Sequence, residues 1–207
     1  MADDRSCDPL ADIPFDRVPP AGSYGAAGVP GIVATPIDTM SIALVVARRG
    51  HAASIAGRLS RAIGAEVVDM PRATHGADGT VVGVAPGRFL VLSTAGTDLI
   101  GSLPALLGTE AAITVQDDAF VLFDLAGDNV PDLLARGALI DLDPRIFHKG
   151  DAATTVLAHI GVTLWRVDET SWRLLVTRSL EASFTRFLIA AGAAFGLRLE
   201  ARAPGRG

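Results

Sequence analysis

Apolar positions in this chain fall into two kinds of run. Short, nearly continuous blocks of aliphatic and β-branched residues read as buried strands: Ser41 to Arg48 (SIALVVAR), Thr80 to Ala85, Phe89 to Ser93 (FLVLS), Ala119 to Leu125 (AFVLFDL) and Trp172 to Thr177 (WRLLVT). Glu66 to Met70, Thr154 to Ile160 and Val162 to Val167 complete the predicted strands. Other stretches space their apolar residues at helical intervals. Ile55, Leu59 and Ile63 recur every fourth position between His51 and Gly64, and Gly64 is the residue type a helix end prefers. Thr97 to Leu107 is predicted helical, with Pro104 as a kink or a late start. Asn129 caps a short helix that opens on Val130-Pro131 and stops at Gly137. Ser179 caps a last helix, with Glu181 in its first turn and Phe184, Phe187, Leu188 and Ala191 on one face. Pro86-Gly87 and Asp168-Glu169 are turns.

The order strand, helix, several strands, helix occurs twice, at an offset of roughly 80 residues judged from matched strand starts. This predicts an α+β fold: a duplicated strand-helix-strands-helix unit, with antiparallel sheets and helices on their outer faces. The first 40 residues lie outside that pattern. Pro9, Pro14, Pro19, Pro20, Pro30 and Pro36 and four glycines break any period, so residues 1–40 read as an extended Pro/Gly-rich arm or tail. Its isolated apolar anchors, such as Phe15 and Tyr24, suit an arm that orders against a partner. Residues 41–199 form the α+β domain, and 200–207 a flexible tail.

Composition narrows the function classes. The chain has 207 residues and a net charge of −5, with Lys149 the only lysine, so no basic face for nucleic acid is expected. No apolar run approaches the roughly 20 residues that cross a bilayer. The start, MADDRSCDPL, lacks a basic, apolar leader, and a cytoplasmic location is expected. Cys7 is the only cysteine, which excludes an internal disulfide and multi-cysteine metal sites. Yet 34 alanines and 22 glycines help make the chain unusually apolar.

Candidate chemistry is sparse. There is no G-x-S-x-G elbow, no Walker A pattern and no G-x-G-x-x-G opening a helix after a strand. His51, His75, His148 and His159 show no metal-ligand spacing. Asp117-Asp118, Asp141 with Asp143, and Asp168-Glu169 read as caps and turns, with Asp143-Pro144 opening a helix. No catalytic, cofactor-binding or metal-binding residue is expected in this chain. Arg173, Arg178 and Arg186 read as solvated surface residues, with ion pairs across an interface as the alternative.

One family comes into view between Phe123 and Ile189. The sequence L-x-G, D-L-L-A-R-G and D-L-D-P-R-x-F, followed by V-x-L-W-R-V and W-R-L-L-V-x-R-S, resembles the gamma subunit of heterotetrameric sarcosine oxidase. Upstream, P-G-R-F-L-V-L-S (Pro86 to Ser93) is similar to a strand of the same family. The resemblance implies a fold like the N-terminal part of the glycine cleavage T-protein. It implies a structural, assembly role in a four-chain flavoenzyme that oxidatively demethylates sarcosine, with one-carbon transfer to tetrahydrofolate. Partners would be alpha, beta and delta subunits holding FAD, FMN, NAD, tetrahydrofolate and zinc, with no nucleic acid and no membrane. It singles out Asp141, Asp143, Arg145 and Phe147 as family-motif or interface residues. Relatives of the T-protein carry a K-G-C-x-x-G-Q-E-like motif where Lys149-Gly150 is followed here by Asp151-Ala152-Ala153-Thr154-Thr155. Thr114-Val115-Gln116 stands where they have D-V-S, which argues against folate binding. The alternatives are a free-standing folate-binding, aminomethyltransferase-like module and the equivalent subunit of an N-methylglutamate dehydrogenase.

Overall fold

Apolar blocks with no polar alternation need cover on both faces, and four layers supply it. The computed structural model of the chain describes residue 10 and residues 12–37, 41–93 and 96–202. Cys7 and residues 203–207 of the predicted tail lie outside these. Two strands come first, β1 (Gly22–Tyr24) and β2 (Ile32–Ile37). The first repeat then runs β3 (Ile42–Ala47), α1 (Ala52–Ile63), β4 (Ala73–His75), β5 (Gly79–Ala85), β6 (Arg88–Ser93) and α2 (Leu99–Leu107). After β7 (Ala111–Val115) the second repeat follows: β8 (Phe120–Ala126), α3 (Val130–Ala135), β9 (Ala152–Leu157), β10 (Ile160–Arg166), β11 (Ser171–Thr177) and α4 (Glu181–Gly192). Strand β12 (Leu197–Leu199) comes last.

The strands make a five-stranded sheet, β4-β5-β6-β3-β7, and a seven-stranded sheet, β1-β12-β2-β8-β11-β10-β9. All pairs are antiparallel except β12 with β2. The duplication is measurable. Ile42 opens β3 and Phe120 opens β8, 78 residues later; Arg88 opens β6 and Ser171 opens β11, 83 residues later. The strand leading into each repeat lies in the other repeat's sheet. β2, just before β3, pairs with β8, and β7, just before β8, pairs with β3.

Alternation then divides the apolar side chains among three cores. Val121, Phe123 and Leu125 face the helix layer of α3 and α4, with Trp172, Leu174, Phe184 and Leu188. Ala43, Val45, Phe89 and Val91 pack with Ile55, Leu59 and Leu103 on the side of α1 and α2. The intervening residues, among them Ile42, Leu90, Leu92, Leu122, Trp165 and Leu175, fill the space between the sheets. α1 ends as predicted: Gly64 takes φ +70° and its N–H donates to the Ser60 carbonyl.

Several details differ from the sequence reading. The described part of the Pro/Gly-rich segment supplies β1 and β2 to the larger sheet. Pro36 is tolerated in β2 for a geometric reason. Ile32 N donates to Gly196 O and Glu200 N donates to Ala34 O, so even-numbered residues turn towards β12. By residue 36 that strand has ended, and no ladder bond is lost. Earlier in the segment, Arg186 of α4 donates to the carbonyls of Ile13 (2.5 Å) and Pro14 (2.7 Å) and lies over the Phe15 ring.

Residues 66–70 are not a strand. The Ser60 hydroxyl accepts Val67 N–H and the Thr74 hydroxyl donates to Glu66 O, so side chains satisfy what a ladder would have, while Asp69 accepts Gly87 N–H. The β9–β10 turn falls at Ala158-His159, both with positive φ, rather than at Gly161, which is paired inside β10. Ser179 lies in a 3₁₀ turn and Leu180 takes the capping position, without a side-chain cap. Asn129 does occupy the cap of α3, but its amide donates to Asp132.

Phe184 joins α4 to the sheet beneath it, its ring edge-on to Phe123 at 5.0 Å. Phe184→Ala is expected to lower the unfolding free energy by about 3–5 kcal/mol, read from urea denaturation. A loss under about 1 kcal/mol would mean that this contact does not hold the helix.

Candidate functional site

A buried arginine organises the family-motif residues. Arg166 ends β10, and its guanidinium donates to four backbone carbonyls: Pro144 (3.0 Å) and Phe147 (2.9 Å) in the loop after α3, and Asp168 (2.9 Å) and Glu169 (3.2 Å) in the β10–β11 turn. It also lies 5.8 Å over the Trp172 ring. Phe147 stacks on Trp172, with centroids 5.4 Å apart and planes 19° apart. A charge taken out of water requires this density of acceptors, and the result is a loop clamped to a hairpin.

The remaining motif residues fold the loop itself. Asp141 accepts the Asp143 backbone N–H, and Asp143 accepts the Arg145 N–H. Both Asp143 oxygens also take the Arg145 guanidinium, at 2.6–3.1 Å. That side-chain contact, with the backbone bond, holds the Asp143 carboxyl down at about 2. Asp143 O accepts from both Ile146 N and Phe147 N, so one turn forms where a capped helix is predicted. Asp141, Asp143 and Arg145 therefore shape backbone, and Phe147 is a buried anchor.

Beside this loop the two repeats are joined at a seam. Ala73 N donates to Gly150 O, Ala152 N to Pro71 O, and Arg72 pairs with Asp151 at 3.1 Å. Gly150 has φ +84°, a conformation that favours glycine, and an added Cβ would touch the Arg72 guanidinium. A cavity of about 670 Å³ opens here, with Glu66, Arg72, His75 and Lys149 in its lining. His75 Nδ1 lies 2.9 Å from the Thr80 hydroxyl. Burial at the seam, then Arg173 and Lys149, lowers its pKa from 6.5. Among the described residues no carboxylate orients the second ring nitrogen, so the pair lacks the third member that would activate a hydroxyl. Deeper in, Arg173 Nε lies 3.6 Å from Asp124, whose pKa is raised by burial against the opposing pull of Arg173.

The other candidates are dispersed. His51 pairs with Glu110 beside α1, His148 donates its backbone N–H to Asp151, and His159 forms a turn. Among the described residues no three His, Cys, Asp or Glu side chains are grouped to hold a metal. Asp117 accepts Ile42 N–H, and Asp168 accepts Thr170 and Ser171 N–H, both structural roles. The three arginines read as solvated or interfacial all make contacts within the chain: Arg173 with Asp124, Arg178 with the carbonyls of Asp118 and Phe120, and Arg186 with the N-terminal segment. Sequence reasoning missed Arg166. Its signal was available as the one charge within the apolar run VTLWRV.

The paired repeats, two facing sheets and outer helices define a T-protein-like α+β fold. The glycine cleavage system aminomethyltransferase T from Bartonella henselae shares it at TM-score 0.59, with 13% identity over 82% of this chain and 48% of that one. The match to a chain of heterotetrameric sarcosine oxidase from Corynebacterium sp. U-96 has TM-score 0.73 and 25% identity, covering 83% of this chain and 88% of that one. The profile of the sarcosine oxidase gamma subunit family matches residues 49–194, and the chain belongs to that family. Sarcosine oxidase subunit gamma of an Arthrobacter species is 35% identical over 127 residues. That alignment spans 61% of each protein. No helix among the described residues is long and apolar enough to cross a membrane.

Arg166→Met is expected to cost about 3 kcal/mol or more, because charge-assisted bonds to four carbonyls are lost; urea denaturation reads it, and a cost under about 1 kcal/mol would sink the clamp. The Asp143 carboxyl should titrate near pH 2 by carbon-detected NMR. Because its folded value is depressed, the link to Arg145 is fully present above the unfolded value of 3.8 and is lost as pH falls through about 2. In Arg145→Ala the midpoint should return towards 3.8; an unchanged midpoint would assign the shift to another cause.

Proposed function

We propose that this chain is the non-catalytic, structural subunit of a heterotetrameric, sarcosine-oxidase-like flavoenzyme. The enzyme would oxidatively demethylate sarcosine to glycine and pass the one-carbon unit to tetrahydrofolate. Alpha, beta and delta partners would hold FAD, FMN, NAD, tetrahydrofolate and zinc, in the cytoplasm. The observation that carries this reading is the structural likeness to a chain of heterotetrameric sarcosine oxidase over 83% of this chain. The residues agree with it. Asp141, Asp143 and Arg166 are engaged with backbone groups, which suits a part that holds shape rather than one that reacts.

Co-expression with the other three subunits and native mass spectrometry test assembly. One copy of this chain per complex, and sarcosine-dependent flavin reduction in that complex, are expected. Failure of the chain to enter the complex would overturn the reading. Calorimetry of the isolated chain with tetrahydrofolate should show no binding tighter than about 1 mM, or −4 kcal/mol. Tighter binding would favour an aminomethyltransferase-like module.

A further inference from the structure

The loop clamped by Arg166 has a side that the clamp does not use. Arg166, Phe147 and Trp172 fix it from within, yet Leu139 is 77% exposed and Ile146 is 62% exposed on the same loop. Ile140, more than one-third exposed, lines an open groove of about 300 Å³ together with Pro131, Asp132, Asp141 and Asp143. No lysine or arginine is among the groove's lining residues. Asp143 is matched by Arg145. Asp132 and Asp141 have no ion pair among the described residues: the first takes the Asn129 amide and the second a backbone N–H. Aliphatic side chains on an irregular loop usually turn inward, and here the loop is already rigid. An already ordered loop loses little freedom when a partner covers it.

We propose that Leu139, Ile140 and Ile146, with Asp132 and Asp141, form the docking surface for a partner protein. That partner presents a lysine or arginine flanked by apolar side chains. Charge complementarity selects this chemistry. The groove offers three carboxylates, served by the single cation Arg145, beside an aliphatic wall, and a long basic side chain has both an apolar stem and a cation. The proposal rests on the subunit reading above, and makes this face the seat of a neighbouring subunit.

The test uses the co-expressed complex. Leu139→Glu with Ile146→Glu should leave the thermal unfolding of the isolated chain unchanged and weaken its incorporation about tenfold or more. Asp132→Lys with Asp141→Lys should weaken it as well, and the remaining association should lose its sensitivity to salt. In the unmutated complex, backbone amides of residues 138–146 should exchange with deuterium more slowly than in the isolated chain. Wild-type incorporation of the Glu variant, or equal exchange in the two states, overturns the docking surface while the subunit reading stands. If the unmutated chain does not enter the complex at all, both fall.

Discussion

β3 and β8 are each the first strand of a repeat, and each lies between a strand of its own repeat and a strand borrowed from the other. The borrowed strands are β2 and β7, which run directly into the repeat whose sheet they do not join. Ile37 closes β2 and Ile42 opens β3, and both residues lie in the core between the sheets. At the second crossing, Asp117 follows β7 and accepts the N–H of Ile42, so the two crossings are also joined to each other. Separating the repeats would break the β2–β8 and β3–β7 ladders and expose the inter-sheet core together. The halves are therefore one cooperative unit, despite their repeat.

This arrangement accounts for the chain's apolar character. Each sheet is covered by helices on one face and by the other sheet on the second, so its interior strands need hydrophobic residues at nearly every position. FLVLS and AFVLFDL are the outcome. Few positions are left where a polar side chain serves neither the backbone nor solvent. In D-L-D-P-R-x-F, Asp141 and Asp143 satisfy this limit by accepting main-chain N–H groups and Arg145 by pairing with Asp143, and the family motif is in this sense a folding motif.

Much of this was legible in the sequence because local signals coincided with the global fold. The four-residue spacing of Ile55, Leu59 and Ile63 marked α1, and the matching order of elements marked the duplication. Where the failures lie in the sheets, pairing with a distant strand overrode the local cue. β2 contains Pro36, a residue that argues against an interior strand, and only the early end of β12 makes it acceptable. Gly161, left between two predicted strands, is a ladder position, while Ala158 and His159 adopt the strained turn instead. β4 and β12, at three residues each, are too short to carry a period. In the motif, the sequence marked Asp141, Asp143, Arg145 and Phe147, but the residue that gathers their loop, Arg166, lies two elements further on.

β1 has one described ladder partner, β12, in which Tyr24 faces Leu197 and Gly22 faces Leu199. β1 thus waits for a strand that is synthesised long after it. Until β12 has been made, β1 lacks its described partner, and the outer edge of β2 stays bare. Closing the sheet is a contact of very long sequence separation, the kind that forms late and slowly. The nascent chain consequently carries an open, apolar sheet edge until residues 197–199 have been made, and this interval is when a chaperone or an assembling partner has most to protect.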